Sequence, residues 1–140
     1  MGKANTLIIG CGRLGASIAR NLSEDTQNVV IIDRSELAFK KLNASFSGIS
    51  VVGDATQISV LEEAEINEMK TAIIVTDVDN VNILLGELLI HRYHVEDVVI
   101  RLTDPELVSA YQEKGFKIVC PTLLSVNKVL TMCSGGEFIA

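Results

Sequence analysis

Six short apolar runs recur along this 140-residue chain, each followed by a stretch long enough for a helix. They cover residues 6–9, 29–32, 49–52, 72–75, 98–100 and 117–120. Nearly continuous Val and Ile with little polar alternation predicts strands covered on both faces. The intervening stretches carry helical spacing: Leu14, Ile18, Ala19 and Leu22; Ala38, Leu42 and Phe46; Ile58 and Leu61; then Val81, Leu84, Leu85, Leu88 and Leu89. Asp104 before Pro105 predicts an N-cap with proline opening a helix, and Gly115 is expected to close it. Strands joined by helical connections must run parallel, so the expected fold is α/β, a doubly wound parallel sheet of about six strands ending in a C-terminal helix.

The first run leads into Gly10-Cys11-Gly12-Arg13-Leu14-Gly15, a G-x-G-x-x-G sequence opening a helix. Gly10 permits a tight turn, Gly12 lets backbone approach a pyrophosphate, and Gly15 lets the helix sit close to the sheet. The helix N-terminus adds unpaired N–H groups and a positive dipole end. Eighteen residues past Gly15, at the end of the second run, Asp33 stands where a carboxylate accepts both ribose hydroxyls. Its charge would repel a 2′-phosphate, which favours NAD or an adenosine nucleotide over NADP. Arg34 beside it runs against that preference, because an adjacent arginine can serve such a phosphate. The sheet is therefore expected to be Rossmann-like.

Composition narrows the function classes. With 48% hydrophobic residues and a mean hydropathy of +0.35, the length suits a single domain over residues 1–140. A formal net charge of −6 without a basic run argues against nucleic acid as a partner. Cys11, Cys120 and Cys133 form no CxxC pair, as expected of a reduced cytoplasmic chain. Residues 1–5 carry no signal-like apolar segment, and no run approaches a membrane span. His91 and His94 lack a third ligand at a convincing spacing and read as exposed helix-end residues, so no metal site is expected. Cys11, near a helix N-terminus, is a place for a lowered thiol pKa, but reads better as a small space-filling residue. Glu62, Glu63, Glu65 and Glu68 read as a solvated helix face. After Pro121, the stripe Leu123, Val126, Val129, Leu130 and Cys133 fits packing either on the chain's own sheet or on a second copy.

Several motifs in order resemble the nucleotide-binding domain of Trk/Ktr-type potassium-uptake regulatory subunits, the TrkA-N or RCK N-terminal domain. They are the glycine loop, Ile31-Ile32-Asp33-Arg34, Val51-Val52-Gly53-Asp54-Ala55-Thr56, Ile74-Val75-Thr76-Asp77 with Asn82, Val99-Ile100-Arg101, and Gly115-Phe116-Lys117-Ile118-Val119-Cys120-Pro121. The resemblance covers about residues 6 to 133, and Gly53-Asp54-Ala55-Thr56 is its most specific element. It implies that Gly53, Asp54 and Ala55 sit by adenine and ribose, although Asp54 also fits a turn or cap. Thr76 and Asp77 would border the phosphates, although a plain loop role fits them too. Arg13 and Arg101 would face phosphate oxygens, with a surface salt bridge as the rival for Arg13.

The resemblance further implies a regulatory subunit or domain and no enzyme. It would sense NAD(H) or an adenine nucleotide (ATP, ADP or AMP) and gate a membrane potassium-uptake transporter. Such a module would be cytoplasmic, held at the inner membrane face through its partner. It would form a homodimer or ring-like oligomer, with residues 122–133 as an exchanged crossover helix. Two departures stand out. Thr122 replaces a glutamate that in Ktr-type members holds a cation, and the sequence stops at Ala140, where family chains continue into a smaller domain. The rival class is an NAD-dependent oxidoreductase cofactor domain working with a separate catalytic domain. A redox-sensing transcription regulator would need a winged-helix segment, which the sequence lacks.

Overall fold

The computed structural model describes residues 5–24 and 28–134, so the reading of residues 1–4 as lacking a leader lies outside the described part. Six parallel strands form one sheet: β1 (Asn5–Ile9), β2 (Asn28–Asp33), β3 (Ile49–Val52), β4 (Thr71–Ile74), β5 (Asp97–Arg101) and β6 (Lys117–Val119). Their spatial order is β3-β2-β1-β4-β5-β6, the doubly wound pattern in which the chain reverses direction across the sheet between β1 and β4. In register, Ile9 lies between Ile32 of β2 and Ile74 of β4. The six expected strands are all present, with no end shifted by more than one residue.

Side-chain alternation divides the core into two layers. Leu7, Ile9, Val30, Ile32, Ile74 and Ile100 point to the face covered by α2 (Ile58–Glu63), α3 (Asp79–His91) and α4 (Pro105–Tyr111). Ile8, Val29 and Ile31 point to the other face, where α1 (Arg13–Glu24) supplies Ala16 and Ala19. The small residues on α1 set its distance from the sheet. A Cβ on Gly15 would lie 1.8 Å from the Gly10 carbonyl oxygen, so only glycine fits where α1 passes β1. On this second face Ile73 of β4 and Val99 of β5 remain half-buried.

Two helix-boundary expectations change and one holds. The second helical stretch is a 3-10 helix, Glu36–Leu42, and does not reach Phe46. Asn43 ends it at φ 57°, and its side-chain oxygen accepts from the Ser45 N–H at 2.9 Å, an Asx turn that competes with helix. Asp104 caps α4 as expected, accepting from the Glu106 N–H at 2.9 Å. Gly115 does not close that helix directly; α4 ends at Tyr111, and Gly115 makes a left-handed turn (φ +93°) into β6.

The last helix, α5 (Pro121–Ser134), has no buried residue. Leu124, Val126, Val129 and Met132 are exposed, Met132 at 72%. Packing on the chain's own sheet, one of the two readings of its apolar stripe, is therefore not what the fold shows.

The glycines separate two demands. Gly15→Ala is expected to destabilise the fold by about 3 kcal/mol or more, at the top of the overpacking range, in urea unfolding. Gly12→Ala, whose Cβ meets nothing within 4 Å, is expected to cost under about 1 kcal/mol in the same measurement.

Candidate functional site

Where the strand order reverses, the loops leaving β1 and β4 diverge to opposite faces and open a cleft of about 650 Å³. The glycine loop forms its floor. Gly10 leaves β1 at φ +107° with its N–H donating to the Ile32 carbonyl at 2.8 Å. A Cβ there would meet the Val75 carbonyl oxygen at 2.8 Å. Gly12 lines the cleft with open space around its Cα, and α1 begins at the next residue. The first-turn amides of α1 have no acceptor inside the helix, which suits an anion.

Asp33, the last residue of β2, is clamped in the cleft by two backbone amides. The Cys11 N–H donates to Oδ2 and the Ser35 N–H to Oδ1, each at 2.8 Å. Each carboxylate oxygen keeps a further lone pair for a hydroxyl donor. On the same wall Asp54 accepts from the Thr56 hydroxyl at 2.7 Å and the Thr56 N–H at 2.9 Å. Those bonds, hydroxyl first, hold the Asp54 carboxyl below its ordinary range, with a smaller pull from Arg34.

The opposite wall is fixed by Asn82, which α3 carries at 0% exposure. Its Oδ1 accepts from the Thr76 N–H and hydroxyl, while Nδ2 donates to the carbonyls of Thr76 (3.1 Å) and Arg101 (2.8 Å). Arg101 Nη2 donates to the carbonyls of Val75 at 2.7 Å and Thr76 at 2.8 Å, and lies 3.7 Å from Asp77 Oδ1. Its guanidinium ties the end of β4 together, with the side chain only 17% exposed. Asp79 joins this wall to the β5–α4 corner, accepting from the N–H groups of Thr103 (2.9 Å) and Asp104 (3.0 Å).

Of the expected site residues, the cleft brings together Gly10, Cys11, Gly12, Asp33, Arg34, Gly53, Asp54, Ala55, Thr76 and Asp77. Arg13, Leu14, Gly15 and Arg101 do not line it. Ser35, Leu37, Lys41, Val78 and Val81 do, and sequence reasoning passed over them. Val81 was absorbed into the apolar stripe of its helix. Lys41 projects from the end of the 3-10 helix, where no spacing rule marks a cleft residue.

Cys11 is buried, and its thiol donates to the Ala38 carbonyl at 3.4 Å. Burial first, then the Asp33 carboxylate, push its pKa up, the reverse of an activated thiol. Space-filling describes it. His91 and His94 are exposed, with His91 Nε2 3.2 Å from Glu87 on the same helix. Thr122, in the first turn of α5, donates its hydroxyl to the Thr103 carbonyl at 3.2 Å. Among the described residues no helix is long and apolar enough to cross a membrane.

Asp79 gives the cleft's support a pH signature. Burial opposes ionisation, but the bonds from Thr103 and Asp104 outweigh it and leave the carboxyl below its ordinary value. A carboxyl with a depressed folded pKa contributes stability that is full above the unfolded value. That contribution is lost as pH falls through the folded one. Asp79→Asn should therefore flatten the fall in unfolding free energy below about pH 4, measured by urea titration from pH 7 to pH 3.

The fold and this cleft have known relatives. The TrkA-N domain model matches residues 6–121. The Trk system potassium uptake protein TrkA of Streptomyces coelicolor is 32% identical over 133 residues, spanning 94% of this chain and 60% of that protein. TrkA homolog 2 of Methanosarcina mazei is 31% identical over 139 residues, 96% of this chain and 31% of that protein. The chain thus spans no more than about 60% of the length of these relatives. Among solved structures, the GsuK channel bound to NAD superimposes with a TM-score of 0.80 at 26% identity, over 96% of this chain and 24% of that one. GsuK bound to ADP gives 0.77 at 27% identity, over 92% and 33%. With its glycine loop, switch-point cleft and motif order all in place, the chain belongs to the TrkA-N domain family.

Proposed function

We propose that this chain is a regulatory nucleotide-binding module that senses NAD(H) or an adenine nucleotide and reports its state to a membrane potassium-uptake system. The observation that carries the reading is the cleft at the switch point. There a glycine loop opens α1, and Asp33 is held in the cleft by two backbone amides. Relatives named as Trk potassium-uptake proteins, and a related channel solved with NAD and with ADP, support the ligand class and the setting. A nucleotide regulates only through different affinity for two conformations, so the chain must change shape or assembly when the cleft fills.

The ligand would lay its adenosine against Asp33, Gly53, Asp54 and Ala55, and its phosphates over Gly10, Cys11 and Gly12. Thr76 and Asp77 would border the distal end. Arg13, Leu14 and Gly15 support the loop from α1, and Arg101 acts through Thr76. Asp33→Ala is expected to weaken NADH, NAD, ATP, ADP and AMP alike by tenfold or more in calorimetry, since all share the ribose. Unchanged affinity for every one of them would remove Asp33 from the site. Gly12→Ala should keep the fold and lose affinity.

The assembly reading follows from α5. A 14-residue helix with no buried side chain, in a chain whose sheet leaves Ile73 and Val99 half-buried, suits exchange with a second copy. Residues 122–133 would form that contact, making the chain a homodimer or part of a ring. Its place would be the cytoplasmic face of the membrane, through its transporter partner. Light scattering should give a dimer, and Val126→Asp with Val129→Asp should yield a folded monomer. A wild-type monomer at high concentration would sink this part.

A further inference from the structure

Asp33 alone argues against a phosphate on the ribose, but its surroundings alter the balance. Both carboxylate oxygens already accept a backbone amide, one from Cys11 and one from Ser35, so part of the charge is met within the protein. Arg34, Ser35 and Lys41 all line the cleft on the same side. The Lys41 ammonium reaches the Cys11 carbonyl at 3.5 Å, and the Cys11 amide is the one bound to Asp33. Lys41 therefore stands one peptide from the ribose-binding carboxylate.

The charges there are unspent. Among the described residues neither Arg34 nor Lys41 forms an ion pair. Asp54 feels Arg34 on the same wall but is held by Thr56, so two acids and two bases share this end. A dianion entering here meets a balanced field. Lys41 has three donors and one acceptor at the outer limit of hydrogen bonding, and leaving it costs little. Its backbone is fixed, because Arg20 Nη1 donates to the Lys41 carbonyl. A stem held at its backbone, with an ammonium engaged by one long bond only, suits a phosphate monoester.

Resting on the nucleotide reading above, we propose that the ribose edge also takes a 2′-phosphate, making NADP(H) a ligand of this chain alongside NAD(H). Lys41 is the residue that contacts the added phosphate, Ser35 offers its hydroxyl, and Arg34 flanks it. Recognition is dual because Asp33 still serves a free hydroxyl when no phosphate is present. Lys41 is thus a specificity-determining residue of the same cleft.

The test is calorimetry with NADH, NADPH, AMP and adenosine 2′,5′-bisphosphate on the wild type, Lys41→Met and Lys41→Arg. Wild type should bind NADPH within about tenfold of NADH. Lys41→Met should weaken NADPH and the bisphosphate by roughly tenfold or more, and NADH and AMP by less than threefold. Retained NADH affinity shows that the variant is folded, and Lys41→Arg should keep NADPH. NADH binding without NADPH binding would overturn the inference and leave the nucleotide reading standing. Equal losses of NADH and NADPH in Lys41→Met would also overturn it, moving Lys41 to the shared phosphates. Failure of both dinucleotides to bind would overturn the inference, and failure of AMP as well would overturn the nucleotide reading.

Discussion

The near-contact of α1 with β1 at Gly15 and Gly10 governs the rest of the molecule. Because no side chain separates them, the helix starts immediately after the strand ends and its first-turn amides stay at the sheet's carboxyl edge. That placement makes the loop short enough for the Cys11 amide to reach the end of β2 and hold Asp33. A wider loop would leave Asp33 in solvent and the cleft without its acid. The site is thus a by-product of how tightly one helix is packed, which is a matter of steric exclusion before it is one of charge.

The two cleft walls are built by different means. The β4 side is locked by a fully buried asparagine bonded to Thr76 and to the Arg101 carbonyl, and the Arg101 guanidinium adds two bonds to carbonyls just past β4. The β2 side ends in a seven-residue 3-10 helix, held by Arg20 on the Lys41 carbonyl and by the Cys11 thiol on that of Ala38. Buried amide networks resist rearrangement, whereas short 3-10 segments carry poorer hydrogen-bond geometry. The β4 wall is therefore the more rigidly built of the two.

Much of this was legible in the chain. Six Val/Ile runs gave the strands because doubly buried strands leave an unbroken apolar signature, and the glycine loop with Asp33 gave the cleft and its polarity. What was illegible came from local competition and long reach. Asn43 and Ser45 close an Asx turn that ends helical spacing before Phe46, and no periodicity count registers that bond. Arg101 reads as a phosphate ligand by its place at a strand end, yet its guanidinium donates to two carbonyls just past the end of β4. Lys41 enters the cleft only because its side chain doubles back to the first loop, thirty residues earlier. The apolar α5 stripe left open whether its own sheet covered it.

Gly12 and Gly15 sit three residues apart, and their surroundings are opposite: empty space at one, a carbonyl oxygen at the other. The fold therefore constrains one of these positions sterically and leaves the other open toward the cleft. Among relatives, a chain that keeps Gly15 but carries a bulky residue at Gly12 would mark a lineage that preserved the scaffold after losing its effector. Loss of Gly15 would mark a lineage whose sheet and first helix had to be re-spaced.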